Sequence, residues 1–327
     1  MNKFVVSTEY ANLRLDKFLS NQFSDFSRTH IAKIVDDGNC LVNGKTAKVG
    51  QKLKEGDIVE ISIPETKPLE ITKEDIPLDV IYEDEDLLII NKPQGMVVHP
   101  ANGHYSGTLV NALAFYLGIS QGPDGEDERL GVLVHRIDKD TSGLLVVAKN
   151  PTAQAHLADQ FFEHSIDRVY TAVVWGNIAE DEGTIEGTIG RDPNDRLRFR
   201  VYDDPEKGKW AVTHWKVLER YGFITVVECR LETGRTHQIR VHMSSIGHPL
   251  FNDERYGGAE IRQGTIYTKY RQFIQNCFAI CPRQALHART LGFTHPRTGE
   301  RIFLEAPLPE DMTALIEKWR SYVTAIK

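Results

Sequence analysis

The segment from Gly131 to Asn150, GVLVHRIDKDTSGLLVVAKN, constrains the fold more than any other. An apolar run, Val132-Leu133-Val134, leads into a charged loop, His135-Arg136-Ile137-Asp138, and a second run, Leu144 to Ala148, follows a turn at Thr141-Ser142-Gly143. Short apolar runs bounded by turn residues read as buried strands. The loop then holds a carboxylate and a guanidinium at the end of such a strand, where rigid backbone fixes their aim.

At 327 residues the chain has room for two domains and a sizeable core. No apolar run approaches the roughly 20 residues of a membrane span. The opening MNKFVVSTEYANLRLDKF shows no small-residue cleavage site, so a cytoplasmic protein is expected. Of the cysteines Cys40, Cys229, Cys277 and Cys281, only the last two are close, and a zinc site would want two more ligands. They read as reduced structural thiols. The net charge of −7 weighs mildly against nucleic-acid binding unless basic residues cluster locally.

Such a cluster lies in residues 1–63, which read as a small module. Arg14 to Leu19 is an amphipathic helix. Ser27 can cap a second helix with Ile31, Ile34 and Val35 on one face and Gly38 past its end. Asn43-Gly44 signals a hairpin, and Ile58 to Ile63 alternates as a strand. Between Ser27 and Lys54, Arg28, Lys33, Lys45, Lys48, Lys52 and Lys54 face only Asp36 and Asp37. Residues 64–76, PETKPLEITKEDI, read as an extended linker, and 77–327 as the main domain.

Within the main domain, strands are expected at Val80 to Tyr82, Leu87 to Ile90, Arg168 to Val174, Thr184 to Ile189, Trp210 to Leu218 and Phe223 to Leu231. Helices are expected at Thr108 to Tyr116, from the Asn150-Pro151 cap to about Glu163, at Thr236 to Ser245 and at Glu310 to Tyr322. Residues 253–283 read as an irregular loop or insertion. Many strands without regular strand–helix alternation argue for an α+β fold with a mostly antiparallel sheet.

The central segment resembles the HR(L/I)DxxTSG motif of the RluA/RluD family of RNA pseudouridine synthases. Gly234-Arg235-Thr236-His237-Gln238-Ile239-Arg240 resembles that family's GRTHQIR motif, Arg168-Val169-Tyr170 its (K/R)xY segment, and Leu286-His287-Ala288 its LHA segment. The N-terminal module resembles an S4 RNA-binding domain, with Arg28, Lys33, Lys45 and Lys48 as candidate RNA contacts. The head, YEDEDLLIINKP and RQALHA are most similar to the RluD type, which modifies large-subunit (23S) ribosomal RNA. HRID for HRLD exchanges side chains of similar volume.

The resemblance implies a pseudouridine synthase fold: a long bent mixed sheet with flanking helices and the cleft across its middle. It implies isomerisation of uridine in structured RNA, with 23S rRNA or a pre-50S particle as partner and no membrane or obligatory protein partner. The reaction consumes no water and changes no redox state, so no cofactor and no metal is implied. Asp138 matches the catalytic aspartate, acting as nucleophile at C1′ or base at C2′, both of which remain open. Arg240 matches its paired arginine; a neighbouring guanidinium favours the ionised carboxylate against burial. Tyr170 matches the tyrosine that stacks on the base and is a candidate to take the C5 proton. Arg136 matches a residue that helps hold the flipped nucleotide, and Leu286 one that packs by the base. Arg191, Arg196, Arg198 and Arg200, near an expected hairpin, are further candidates for gripping RNA.

Two other readings compete. Asp138-Lys139-Asp140-Thr141 after an apolar run also approaches the DxDxT pattern of magnesium-dependent phosphatases, with Ser142 at its last position, although no paired acidic motif follows it. A non-catalytic RNA-binding module on the same fold is the second, against which the set Asp138, Tyr170 and Arg240 counts. His135 and His237 read as hydrogen-bonding or orienting groups, since no zinc spacing surrounds them.

Overall fold

The computed structural model describes residues 2–23, 26, 28–63, 71–100, 105–119, 133–265 and 267–326. The chain divides into two compact units, Met1–Glu70 and Ile71–Lys327. Ser27 and the first part of the expected linker, 64–70, lie outside the described residues.

The smaller unit carries β1 (Asn2–Val5), α1 (Leu15–Gln22), α2 (Arg28–Asp36), β2 (Cys40–Val42), β3 (Lys45–Thr46) and β4 (Ile58–Ile61), with the sheet ordered β1-β4-β2-β3. Leu15, Phe18 and Leu19 of α1 and Ile31, Ile34 and Val35 of α2 recur at helical spacing and share a core with Cys40, Val42, Val59 and Ile61. The β2–β3 turn has φ of 51° at Asn43 and 73° at Gly44, both left-handed, as a two-residue hairpin of this twist requires.

The larger unit runs β5 (Val80–Glu83), β6 (Leu87–Lys92), α3 (Leu109–Tyr116), β7 (Ser142–Ala148), α4 (Pro151–Phe162), β8 (Asp167–Trp175), β9 (Glu182–Arg191), β10 (Phe199–Tyr202), β11 (Lys209–Arg220), β12 (Ile224–Leu231), α5 (Gln238–Ser245), α6 (Thr268–Ile280), β13 (Leu286–Thr294), β14 (Arg301–Glu305) and α7 (Glu310–Ile326). Its strands form one sheet ordered β10-β9-β11-β12-β8-β13-β7-β6-β5, with β14 beside β13. The named pairings are antiparallel except β13 with β7, where His287 and Ala288 lie beside Ser142 and Gly143. The architecture is thus α+β with a mostly antiparallel mixed sheet.

Both faces are covered, which explains the unbroken apolar runs. In β6 and β7, Leu88, Ile90, Leu145 and Val147 share a core with Leu109 and Leu113 of α3 and Ile239 and Met243 of α5. The alternate residues Leu87, Ile89, Leu144 and Val146 pack with Ala153 and Leu157 of α4. Helices α6 and α7 close a third cluster through Ile274, Cys277, Leu315 and Trp319. All four cysteines are buried and free, and burial pushes their thiols up to about 11 or 12.

Three sequence expectations differ from the structure. Of the run ahead of His135, Val132 lies outside the described residues, Leu133 makes a single bridge to Val147, and Val134 belongs to no strand. The His135 ring takes the place of a strand partner, its Nε2 accepting from the Val146 N–H at 3.0 Å. The turn lies earlier than expected, at Lys139-Asp140, where Thr141 N–H donates to the Asp138 carbonyl, and Ser142 and Gly143 already belong to β7. Gly143 (φ 116°) permits a close parallel approach, since a Cβ there would sit 2.2 Å from the Ala288 carbonyl oxygen. Finally, the expected loop 253–283 contains α6, whose Tyr270, Ile274 and Cys277 are buried at helical spacing among polar residues that hide the pattern.

Candidate active site

Arg136, Asp138, Tyr170, Arg240 and Leu286 all line one cavity of about 450 Å³. Four devices deliver them. Asp138 and Arg136 sit two apart in the loop ahead of β7. Tyr170 comes from β8. Leu286 opens β13 and pairs with Ala172, which puts it diagonally across from Tyr170 on the same face of the sheet. Arg240 comes from the first turn of α5.

The N-terminus of α5 is tightly fixed. Gln238 accepts from the Arg235 N–H and the Thr233 hydroxyl, and donates to the Val212 carbonyl and the Thr213 hydroxyl. Such a fully satisfied amide locks the chain entering the helix. His237 just before it is left-handed, with φ of 56°.

Arg240 and Asp138, 102 positions apart, meet at 3.0 Å through Nη1 and Oδ2. The same guanidinium donates from Nε and Nη2 to the two oxygens of Asp253, at 2.7 and 2.9 Å. Asp253 is fully buried, and its Oδ1 also accepts from the N–H groups of Arg255 and Tyr256 at 3.1 Å. Burial alone would disfavour the Arg240 charge; the hydrogen bonds and charge of Asp253, then those of Asp138, override it and hold its pKa above the ordinary range. Arg240 is therefore a permanent cation against Asp138.

His237 Nε2 stands 3.9 Å from the other oxygen of Asp138. Its Nδ1 is 2.8 Å from the Tyr256 hydroxyl, which itself accepts from the Phe199 N–H. That hydroxyl has its proton free to give to Nδ1, which leaves the ring proton on Nε2, facing the carboxylate. Burial pushes His237 down to about 4, against the pull of Asp138, so the ring is neutral at neutral pH. Tyr170 is 8% exposed; burial raises its pKa, Arg168 opposes and Asp138 adds, so the resting phenol keeps its proton.

Sequence reasoning missed Asp253, Tyr256 and Lys92. The first two lie in a stretch read as loop. Lys92 is fully buried, and its Nζ donates to the carbonyls of Pro93, Met96 and Lys139, tying β6 to the residue after Asp138. Its only signal was a lysine ending an apolar strand.

A second depression, of about 930 Å³, shares Arg136, Asp138, His237 and Arg240 with the first and is walled by Arg191, Arg196, Arg198 and Arg255. Arg191 and Arg198 stack on Phe199 and Tyr256, 5.2 and 5.7 Å from the ring centroids, and Arg191 also donates to the Arg196 carbonyl, so among the described residues rings and a carbonyl rather than carboxylates hold these groups. Arg200 stacks on Tyr202 outside that wall. In the smaller unit Lys33, Lys45 and Lys48 are exposed, whereas Arg28 is tied to Asp16 at 2.6 Å.

The phosphatase reading fails on the fold, because Asp138 lies beside an antiparallel sheet and not at the head of a doubly wound parallel one. Asp84, Asp86 and His295 offer ligand atoms within 4.8 Å of one another, but those atoms are spent. Asp84 binds the Tyr82 hydroxyl, two backbone N–H groups and His295, and Asp86 binds Asn150 and Arg297.

Known proteins resemble the chain over nearly its whole length. The sequence profile of the RNA pseudouridylate synthase family matches residues 86–245, and that of the S4 domain residues 13–59. The chain is 50% identical, over 96% of both lengths, to an uncharacterized RNA pseudouridine synthase of Bacillus subtilis. It is 42% identical to ribosomal large subunit pseudouridine synthase D of Xanthomonas campestris, over 98% of this chain and 93% of that protein. The solved structure of human RNA pseudouridylate synthase domain containing 4 shares the fold, with a TM-score of 0.58 at 23% identity, covering 74% of this chain and 92% of that one.

Proposed function

Because the chain belongs to the RNA pseudouridine synthase family, we propose that it isomerises uridines of large-subunit ribosomal RNA, in the cytoplasm, on 23S rRNA or a pre-50S particle during ribosome biogenesis. The reaction breaks the C1′–N1 bond, turns the uracil over and forms a C5–C1′ bond. C5 gives up a proton and N1 gains one, so the atoms balance with no cofactor.

The observation that carries the assignment of roles is the Asp138–Arg240 contact in a cavity also lined by Tyr170 and Leu286. An ionised Asp138 serves at the sugar, as nucleophile at C1′ or base at C2′. Arg240 keeps it charged and aimed, held in turn by Asp253. Tyr170 and Leu286 receive the uracil ring, and Arg136 helps hold the nucleotide out of its helix. The arginine wall supports a path for the RNA strand, and Lys33, Lys45 and Lys48 support a second RNA contact from the S4 unit. The ribosomal target rests on relatives such as the Xanthomonas protein.

Pseudouridine mapping of RNA from cells lacking the protein, rescued with wild type or Asp138→Asn, tests the proposal. Specific 23S pseudouridines are expected to vanish, and to return only with the wild type. Sites missing solely from another RNA would overturn the ribosomal assignment, and rescue by Asp138→Asn would overturn the catalytic one.

A further inference from the structure

The catalytic cavity holds a second buried cation that the roles above leave unused. Arg168, at the start of β8, lines it and is only 7% exposed. Arg240 is gripped by two carboxylates; Arg168 has none within 4.0 Å among the described residues. Its guanidinium donates from Nη2 to the Glu232 carbonyl at 3.2 Å and lies 5.4 Å from the centroid of the Phe161 ring. Its Nε is buried with no hydrogen-bond partner. Arg235 and Arg136 line the same cavity, while Asp138, already bound to Arg240, is the one carboxylate among the described residues that does so.

The backbone makes room for this charge. A Cβ on Gly234 would sit 2.7 Å from Arg168 Nη1, and Gly234 has no left-handed φ that would otherwise demand glycine. The first residue of GRTHQIR therefore lies against the guanidinium, and a side chain there would have to displace it. Burial pushes the Arg168 pKa down, Tyr170 pulls against that and Arg235 adds to it, yet an arginine stays charged at neutral pH. A charge so placed is costly until an anion meets it.

We propose that Arg168 is the anion anchor of the site and binds the phosphodiester beside the flipped nucleotide. This rests on the family reaction and not on which RNA is the target. Arg168 and Tyr170 stand two residues apart on one face of β8, about 7 Å along the strand, a spacing that suits a base on the tyrosine and its backbone on the arginine. A phosphodiester is charged before, during and after the isomerisation, so it can neutralise a permanent cation. The uracil ring gains anionic character only while the glycosidic bond is open.

Steady-state pseudouridine formation on total RNA from cells lacking the protein tests this, because that RNA holds the substrate whichever molecule it is. Arg168→Met should raise the apparent KM about tenfold while kcat falls less than about threefold. The slope of log kcat/KM against log salt should shrink by about 0.7–0.9, one phosphate contact, and Arg168→Lys should restore it. Gly234→Ala should raise KM with the guanidinium still present but displaced. The RNA-free Arg168→Met protein should melt no lower than wild type, whereas a structural role would lower its Tm. Unchanged KM and salt slope would overturn the proposal. So would a loss confined to kcat, which would move the contact to the uracil ring, or a lowered Tm in the Met variant. Wild-type protein that forms no pseudouridine would reject the family reaction for this chain, a failure seen before any variant is compared.

Discussion

Replacing Asp253 with asparagine keeps the shape of the side chain and removes its charge. In the wild type Oδ1 accepts from Arg240 Nη2 at 2.9 Å and from the Arg255 and Tyr256 N–H groups at 3.1 Å, while Oδ2 accepts from Arg240 Nε at 2.7 Å. The three-fold acceptor must remain an oxygen, so the new NH₂ is forced against Nε, donor facing donor. One charge-assisted hydrogen bond is lost, about 1.5–3 kcal/mol, and the guanidinium keeps Asp138 alone as counter-ion. Breaking one side of a buried ion pair costs about 3–5 kcal/mol in total. For a unit of this size each kcal/mol moves Tm by about 2–4 °C, so a fall of roughly 6–20 °C is expected. Turnover should fall at least about tenfold as well, since Arg240 loses the fork that aims it at Asp138. Thermal melts read the first effect, and tritium release from RNA labelled at uridine C5 reads the second. A Tm within about 2 °C of wild type together with intact turnover would refute the idea that Asp253 holds Arg240 in place.

Other perturbations separate the remaining roles. Tyr170→Phe should spare Tm and RNA affinity but slow tritium release by about a hundredfold or more; wild-type rates would show the hydroxyl to be dispensable. Lys45→Glu with Lys48→Glu should weaken RNA binding and flatten its salt dependence with no change in Tm, and unchanged affinity would remove the S4 contact. Arg28 is a poor choice for that test, because Arg28→Glu would set a second carboxylate against Asp16. His135, pushed down by burial to about 3, and His237, His242 and His287, pushed to about 4, all sit below the ordinary value of 6.5. The unfolded chain therefore binds these protons before the fold does. Their contribution to stability is complete above pH 6.5 and shrinks as pH falls toward 4, by about 1.4 kcal/mol per unit for each residue. Tm should drop steeply across that window, and a flat Tm from pH 7 to 5 would refute it.

What could be read from the sequence followed periodicity and motif. The strands from Arg168 to Leu231 stand out by their β-branched and aromatic residues, and the Asn150-Pro151 cap places α4 where the structure has it. The five residues lining the cavity were legible because each lies inside a motif. Asp253 was not, since its importance depends on a contact with Arg240 that no local pattern encodes. Lys92 was hidden for the opposite reason: buried lysines are rare, and what tolerates this one is three carbonyls converging from separate segments. Val134 misled because apolarity signals burial, whereas a strand also needs a partner, and beyond the Leu133–Val147 bridge the His135 ring takes the Val146 N–H.

The two buried arginines show how one cavity can separate holding from waiting. Arg240 meets Asp253 and Asp138, so its charge is already neutralised and its geometry set before RNA arrives. Preorganisation of that kind avoids rearrangement while the glycosidic bond breaks. Arg168 lines the same cavity with a carbonyl and an aromatic face for company, beside a glycine where a methyl group would have to displace the guanidinium. An unpaired charge in such a place makes the empty site less stable than a filled one, so an incoming phosphodiester gains affinity there without adding to the binding of uracil itself. The division predicts opposite thermal behaviour for two superficially similar substitutions. Removing the Arg240 charge strands Asp253 and should lower Tm, whereas removing the Arg168 charge relieves a buried cation and should not.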